Sequence, residues 1–290
     1  MGLGAKRVRT VMGKFNEARK VNDFSRYRAL RRTSPGMRPR AALVSMALAI
    51  LTPALPAHAD NPGYDRPGLG FQPAVLDAGD VTIEQGLPTW TQDREAGITQ
   101  SQYTTDTLLR IGVGGPFEAQ LGTSFFNALH QTGLGENAWA HGRGDTILGL
   151  KWAPKQQGSF TWGVLGSVEF TDGARDIRSD RRQYLLGVDF NWQLTPSDAL
   201  GSYVENVRSG GQDQTTLAFS ESHALTHALT AYVEAALVHD SGERSGTEAG
   251  AGLAWMLGQR VQLDGGVRRR LSGHAQAWMA SLGLSVYFGR

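Results

Sequence analysis

From Gln183 to Leu194 the chain alternates: Tyr184, Leu186, Val188, Phe190, Trp192 and Leu194 are large and apolar, with Gln183, Leu185, Gly187, Asp189, Asn191 and Gln193 between them. A period of two describes a β-strand with one apolar face and one mostly polar face. The same rhythm recurs to the end of the chain and predicts twelve strands. These are Val81–Leu87, Thr104–Val113, Phe117–Phe125, Asp145–Trp152, Phe160–Phe170, Gln183–Leu194, Ala199–Val207, Gln214–Glu221, Leu229–Val238, Glu248–Leu257, Val261–Arg268 and Ala275–Phe288. No long segment of helical period with good caps interrupts them.

The connections differ in length. Short ones are 114–116, 153–159, 195–198, 222–228 and 258–260; longer or more polar ones are 88–103, 126–144, 171–182, 208–213, 239–247 and 269–274. Five short turns interleaved with six longer loops suit an up-and-down antiparallel arrangement with both ends on the short-turn side.

One face of these strands collects Ile83, Leu109, Ile111, Leu121, Leu148, Leu150, Trp162, Val168, the Tyr184–Leu194 set, Val233, Leu253, Trp255, Leu263, Leu282 and Phe288. The other collects Glu84, Asp106, Arg110, Glu118, Lys151, Glu169, Asp189, Glu234 and Asp264 among many Gly, Ser and Ala. A sealed soluble core does not accept that second set, because unpaired buried charge is very costly. Two housings remain. A soluble sandwich presses its apolar faces together, whereas a membrane barrel turns them to lipid and encloses the polar face.

Charge placement favours the barrel. The 12 Lys/Arg of residues 1–40 face only Glu17 and Asp23, and no charged residue follows before Asp60. From Asp60 onward, 29 − 12 = 17 basic residues face 27 − 2 = 25 acidic ones, a net charge of −8. The basicity therefore belongs to a leader, and no nucleic-acid partner is expected. Arg38 and Arg40 precede the apolar stretch Ala41–Leu51, and "AHA" (57–59) supplies small residues for cleavage, so residues 1–59 read as a leader ending in a secretory signal peptide. The 11 residues of that apolar stretch are too few for a spanning helix, which needs about 20. Met37 begins a signal peptide of ordinary length, which makes it a candidate true start. Residues 60–80, rich in Pro and Gly, read as an extended mature N-terminus, and 81–290 as the barrel.

Three further features agree. Trp90, Tyr103, Trp152, Trp162, Trp192, Trp255, Tyr287 and Phe288 sit near strand ends, as interfacial girdles do. The last strand runs almost to the C-terminus. Cysteine is absent, which removes thiol chemistry and disulfides. The expected fold is all-β: an up-and-down antiparallel transmembrane β-barrel of about twelve strands, of bacterial outer-membrane type.

The runs "RPGLGFQPAVLDAGDVTIEQGLPTW" (66–90), "QYTTDTLLRIGVGGPFEAQLGTSFFN" (102–127) and "GRGDTILGLKWAP" (142–154) resemble the outer-membrane transporters grouped under the name meta-pathway of phenol degradation proteins. The resemblance implies an outer-membrane channel or transporter, in some members linked to the breakdown of aromatic or other hydrophobic compounds. It supplies no catalytic or binding residues. Many outer-membrane barrels end on an aromatic residue, whereas here Gly289 and Arg290 follow Phe288.

Within that frame, Glu84, Asp106, Arg110, Glu118, Lys151, Glu169, Asp189, Glu234 and Asp264 are the lumen-lining candidates, and their carboxylate excess would favour cations and polar solutes. The alternative is that they merely solvate and pair across the interior. The stretch 125–144 is expected to be the longest loop, able to fold inward and constrict the lumen with Phe126, Leu129, Leu134 and Trp139, or to stay an ordinary surface loop. His223 and His227 have helical metal-pair spacing but lie in a turn between strands, so no metal is expected. Ser222 and His223 point to opposite faces of a strand, which disfavours a hydrolase. No catalytic residue and no cofactor are expected. Expected partners are outer-membrane lipid and lipopolysaccharide, which arginines in 173–182 and 268–270 could meet, a small-molecule solute, and the barrel-assembly machinery. The expected function is passive passage of small, hydrophobic or aromatic solutes. Alternatives are a structural or adhesive barrel with a filled interior and, below that, an outer-membrane lipid hydrolase.

Overall fold

The computed structural model describes residues 61–155, 158–241 and 245–289. The leader, its signal peptide and the candidate start at Met37 lie outside the described residues. Every regular element described is a strand: β1 (Val81–Glu95), β2 (Ile98–Gly114), β3 (Phe117–Gly133), β4 (Glu136–Gly142), β5 (Ile147–Trp152), β6 (Phe160–Glu169), β7 (Gln183–Gln193), β8 (Asp198–Ser209), β9 (Gln212–Ala224), β10 (Leu229–Asp240), β11 (Gly246–Met256), β12 (Val261–Ser272) and β13 (Trp278–Phe288).

Pairing runs antiparallel around the chain, and β1 meets β13 from Val81 opposite Phe288 to Gln92 opposite Trp278. The sheet is closed. β4 and β5 share one place in the ring, since β4 pairs with Asn127–Gly133 of β3 and β5 with Phe117–Gly122. Thirteen segments therefore build a twelve-stranded barrel. Closure has a physical reason: in hydrocarbon each unpaired backbone group costs several kcal/mol, so a spanning sheet leaves no edge.

The side chains are inside out relative to a soluble core. Leu186, Leu282 and Phe219 are 61%, 60% and 58% exposed, whereas Arg110, Lys151 and Glu118 are 0% exposed. In β7 the expected alternation is visible in Tyr184, Leu186 and Trp192, which are exposed, and in Gln183 and Asp189, which are buried.

The turn positions on the rim that carries both strand ends agree with expectation, but the far rim corrects it. The stretches 88–103, 126–144 and 208–213 are not loops. They are the ends of β1–β2, β3–β4 and β8–β9, closed by the two-residue turns Ala96-Gly97, Leu134-Gly135 and Gly210-Gly211. All six of these residues have positive φ, between 47° and 91°. That is the type I′ geometry whose twist matches a hairpin. The strand ends escaped detection because no sustained apolar period marks them. A 17-residue strand such as β3 rises about 55 Å, or about 40 Å at a tilt near 40°, against an apolar band about 25 Å tall. β1 to β3 are thus taller than such a band.

The break between β4 and β5 is filled by the 170–182 connection. Asp145 accepts the Gly173 and Ser179 N–H groups at 2.9 and 2.6 Å. Asp172 accepts the Thr146 N–H at 2.8 Å and pairs with Arg143 at 2.9 Å. The Thr146 N–H, then Arg143 and the Thr146 hydroxyl, hold the Asp172 carboxyl well below the usual carboxylate range.

Candidate functional site

Residues 61–80 do not trail away from the barrel; they run through its interior. The segment is rich in Pro and Gly, forms no strand, and so keeps backbone N–H groups free to donate. Four wall carboxylates accept them. Glu84 takes the Asp65 and Arg66 N–H groups at 3.0 and 2.9 Å, and Glu118 takes Leu76 at 3.1 Å. Glu234 takes Leu69 at 2.8 Å and Asp189 takes Phe71 at 3.1 Å. Hydrogen bonds to charged groups are each worth about 1.5–3 kcal/mol.

Beside these contacts lies a buried charge cluster. Arg110 on β2 grips Glu118 on β3 with two nitrogens, at 2.8 and 3.0 Å, and reaches Glu84 on β1 at 3.0 Å. Asp65 enters from the inner segment, 2.8 Å from the Lys151 Nζ and 3.3 Å from the Arg110 Nη1. Lys151 also lies 3.2 Å from Glu118 and donates to the Gln72 carbonyl at 3.1 Å. Gln120 completes the cluster by donating to Asp65 at 2.9 Å. Each buried charge is thereby partnered, which burial demands.

Next to Asp65 in the chain, Arg66 meets Asp106 at 2.9 Å, Asp264 at 3.4 Å and the Leu282 carbonyl at 3.1 Å. Gly112 explains why the wall is bare where residues 76–80 cross it. A Cβ there would lie 1.9 Å from the Asp77 carbonyl oxygen. Instead the Gly112 carbonyl accepts from Gly79, and its N–H donates to the Asp80 carbonyl, both at 2.9 Å.

Toward β6–β10 the filling becomes apolar. Phe71 packs edge-on against Tyr203 with ring centroids 5.8 Å apart, and Leu69, Leu165, Ala218 and Ala236 surround them. A small recess opens on this side, lined by Leu69, Asp189, Gly201, Tyr203, Ala218, Ser220 and Glu234.

All nine expected lumen residues lie on the inner face, yet not in one group. Glu84, Arg110, Glu118 and Lys151 share the cluster with Asp65. Asp106 and Asp264 share Arg66. Glu234 pairs with Arg268 at 3.0 Å, and Asp189 stands by Phe71. Glu169 is apart at the far rim, accepting from Ser179 at 2.8 Å. The four residues expected in a constricting loop belong to the β3–β4 hairpin and divide. Leu129 is buried on the inner face and Leu134 sits exposed at the tip. Phe126 and Trp139 face outward, stacked with His141 and His130 in one ladder. Pairing fixes these directions, because the hairpin is strand rather than loop.

Sequence reasoning missed Asp65, Arg66, Leu69 and Phe71. One signal was available. Seven wall carboxylates against Arg110, Lys151 and Arg268 require donors from elsewhere, and the inner segment supplies several of them.

This is the architecture of an outer-membrane-type β-barrel. The sequence matches the family described as "Putative MetA-pathway of phenol degradation" over residues 64–288, and the chain belongs to that family. Among solved structures it is similar to an outer membrane channel from Pseudomonas putida F1, at 10% identity and a TM-score of 0.59, covering 74% of this chain and 97% of that one. It is also similar to the β domain of the Bordetella autotransporter BrkA, at 13% identity and a TM-score of 0.50, covering 72% and 99%. No curated protein matches the sequence. The fold points to the bacterial outer membrane.

Proposed function

We propose that the chain is an outer-membrane channel that gives passive passage to small hydrophobic or aromatic solutes, with its own residues 61–80 narrowing the lumen. The observation that carries this reading is the asymmetry of the filling. Ion pairs fasten Asp65 and Arg66 of the inner segment to β2, β5 and β12. Toward β7–β10 the segment makes no ion pair among the described residues: only the Leu69 and Phe71 N–H groups meet carboxylates there, and their side chains pack with Tyr203 beside the recess. A solute with a greasy ring and one polar group fits such a seam better than a hydrated ion does. Export by the signal peptide and insertion by the assembly machinery complete the reading, in which arginines of the 173–182 stretch would meet lipopolysaccharide; Arg268 would not, because it pairs inward with Glu234.

A second reading is a structural barrel with a filled interior, favoured by the dense partnering around Arg110. Single-channel conductance and uptake of phenol-sized solutes into liposomes separate the two. The channel reading expects low conductance together with solute entry faster than in protein-free liposomes. Equal entry with and without the protein, and no conductance, leaves the filled barrel.

A further inference from the structure

At the rim that carries the strand ends, the β8–β9 pairing sets Asp198 opposite His223. Glu221 lies two residues from His223 and therefore on the same face. That face is the outer one, because Glu221 stands between Leu200 on β8 and Val233 on β10, which are 41% and 53% exposed. The Asp198 Oδ1 lies 2.6 Å from the His223 Nδ1, and one donor atom from each of the three residues lies within 4.8 Å of the others. We propose that Asp198, Glu221 and His223 form a binding site for a divalent transition-metal ion of the Zn2+ type.

Three observations carry the proposal. The first is the donor set: one imidazole and two carboxylates suit Zn2+ and its neighbours, whereas Mg2+ and Ca2+ prefer oxygen alone. The second is that Glu221 has no hydrogen bond or ion pair among the described residues, although it stands in an outward row with Leu200 and Trp192. A bare carboxylate at the lipid boundary is unfavourable, and a bound dication neutralises it together with Asp198. The third is support from behind, since the Thr195 hydroxyl holds the other Asp198 oxygen and orients the carboxylate. The His223 side chain is 49% exposed, so ions reach it from the aqueous side. Donors in a tetrahedral Zn2+ site stand roughly 3.3 Å apart, so the His223–Asp198 pair opens from 2.6 Å as the ion enters between the three groups. His227, in the next turn, is not part of the group.

The test is titration of Zn2+, and of Co2+ as a spectroscopic reporter, into the metal-stripped barrel extracted in detergent from outer membranes. One ion per chain is expected, with tetrahedral Co2+ absorption. Affinity is expected to fall about tenfold or more in His223→Gln, Asp198→Asn and Glu221→Gln and to stay unchanged in His227→Ala. Heat-modifiable gel mobility shows that each variant is folded. Absence of binding, equal binding in His223→Gln, or a preference for Ca2+ would each overturn the proposal.

Discussion

Asp65→Ala removes the inner segment's carboxylate from the charge cluster while leaving the wall intact. Asp65 meets Lys151 at 2.8 Å, Gln120 at 2.9 Å and Arg110 at 3.3 Å. Two of those contacts are made to cations, and at about 1.5–3 kcal/mol each they sum to roughly 3–6 kcal/mol. The lower end applies, because Lys151 keeps Glu118 and Gln72 and Arg110 keeps Glu118 and Glu84, so neither cation is orphaned. About 3 kcal/mol corresponds to a shift of roughly 100-fold in the balance between docked and released inner segment. The chain has no cysteine, so Ala74→Cys introduces a single reporter thiol on that segment. Its labelling by a membrane-impermeant thiol reagent tracks the released population. Labelling should accelerate by about two orders of magnitude in Asp65→Ala, with noisier and larger single-channel conductance. The Asp172→Asn variant, remote in the outer connection, should leave labelling unchanged. Unaltered labelling and conductance in Asp65→Ala would refute the view that this cluster fastens the segment.

Gly112→Val should release residues 76–80 from β2, because a Cβ there collides with the Asp77 carbonyl; limited proteolysis near residue 78 should report it while heat-modifiable migration stays normal. Leu186→Arg, on the lipid face of β7, should cost about 2–4 kcal/mol in denaturant unfolding from lipid vesicles. The Asp172 carboxyl is lowered by the Thr146 N–H, Arg143 and the Thr146 hydroxyl. Its contribution is therefore present above the ordinary Asp pKa of about 3.9 and is lost as pH falls through the lower folded value. Protection of the 170–182 amides, corrected for the intrinsic pH dependence of exchange, should thus hold steady down to about pH 4 and fall below it, and Asp172→Asn should lower that protection at neutral pH by a small factor, as its exposure implies.

How legible the fold was depended on where water stops. In β7 lipid lies on one side and a polar lumen on the other, so Tyr184 to Leu194 alternates and its face could be assigned from sequence. At the tall strand ends, "TWTQDREAGITQSQYT" (89–104) has no sustained apolar alternation, and only the Ala96-Gly97 turn marks the hairpin. Phe126 and Trp139 were assigned to a loop because Gly, Asn and His interrupt the apolar residues of 125–144. The interrupted strand at 143–146 has no periodic signature, since it depends on Asp145 and Asp172 meeting a distant connection. The inner faces of Glu84, Glu118 and Asp189 were legible, but their partners were not. Those partners are largely backbone N–H groups of a Pro- and Gly-rich segment, which side-chain pattern does not encode. Likewise, the His223–His227 spacing concealed the cross-strand pairing of His223 with Asp198.

The inside-out orientation of the wall is tested most directly by single fluorophores placed through cysteine at Leu185, Leu186, Val188 and Asp189 of the barrel in vesicles. A lipid-phase quencher should dim the labels at 186 and 188 and spare those at 185 and 189. Quenching of 185 and 189 instead, or equal access of all four to an aqueous quencher, would contradict a barrel that turns its apolar face to lipid.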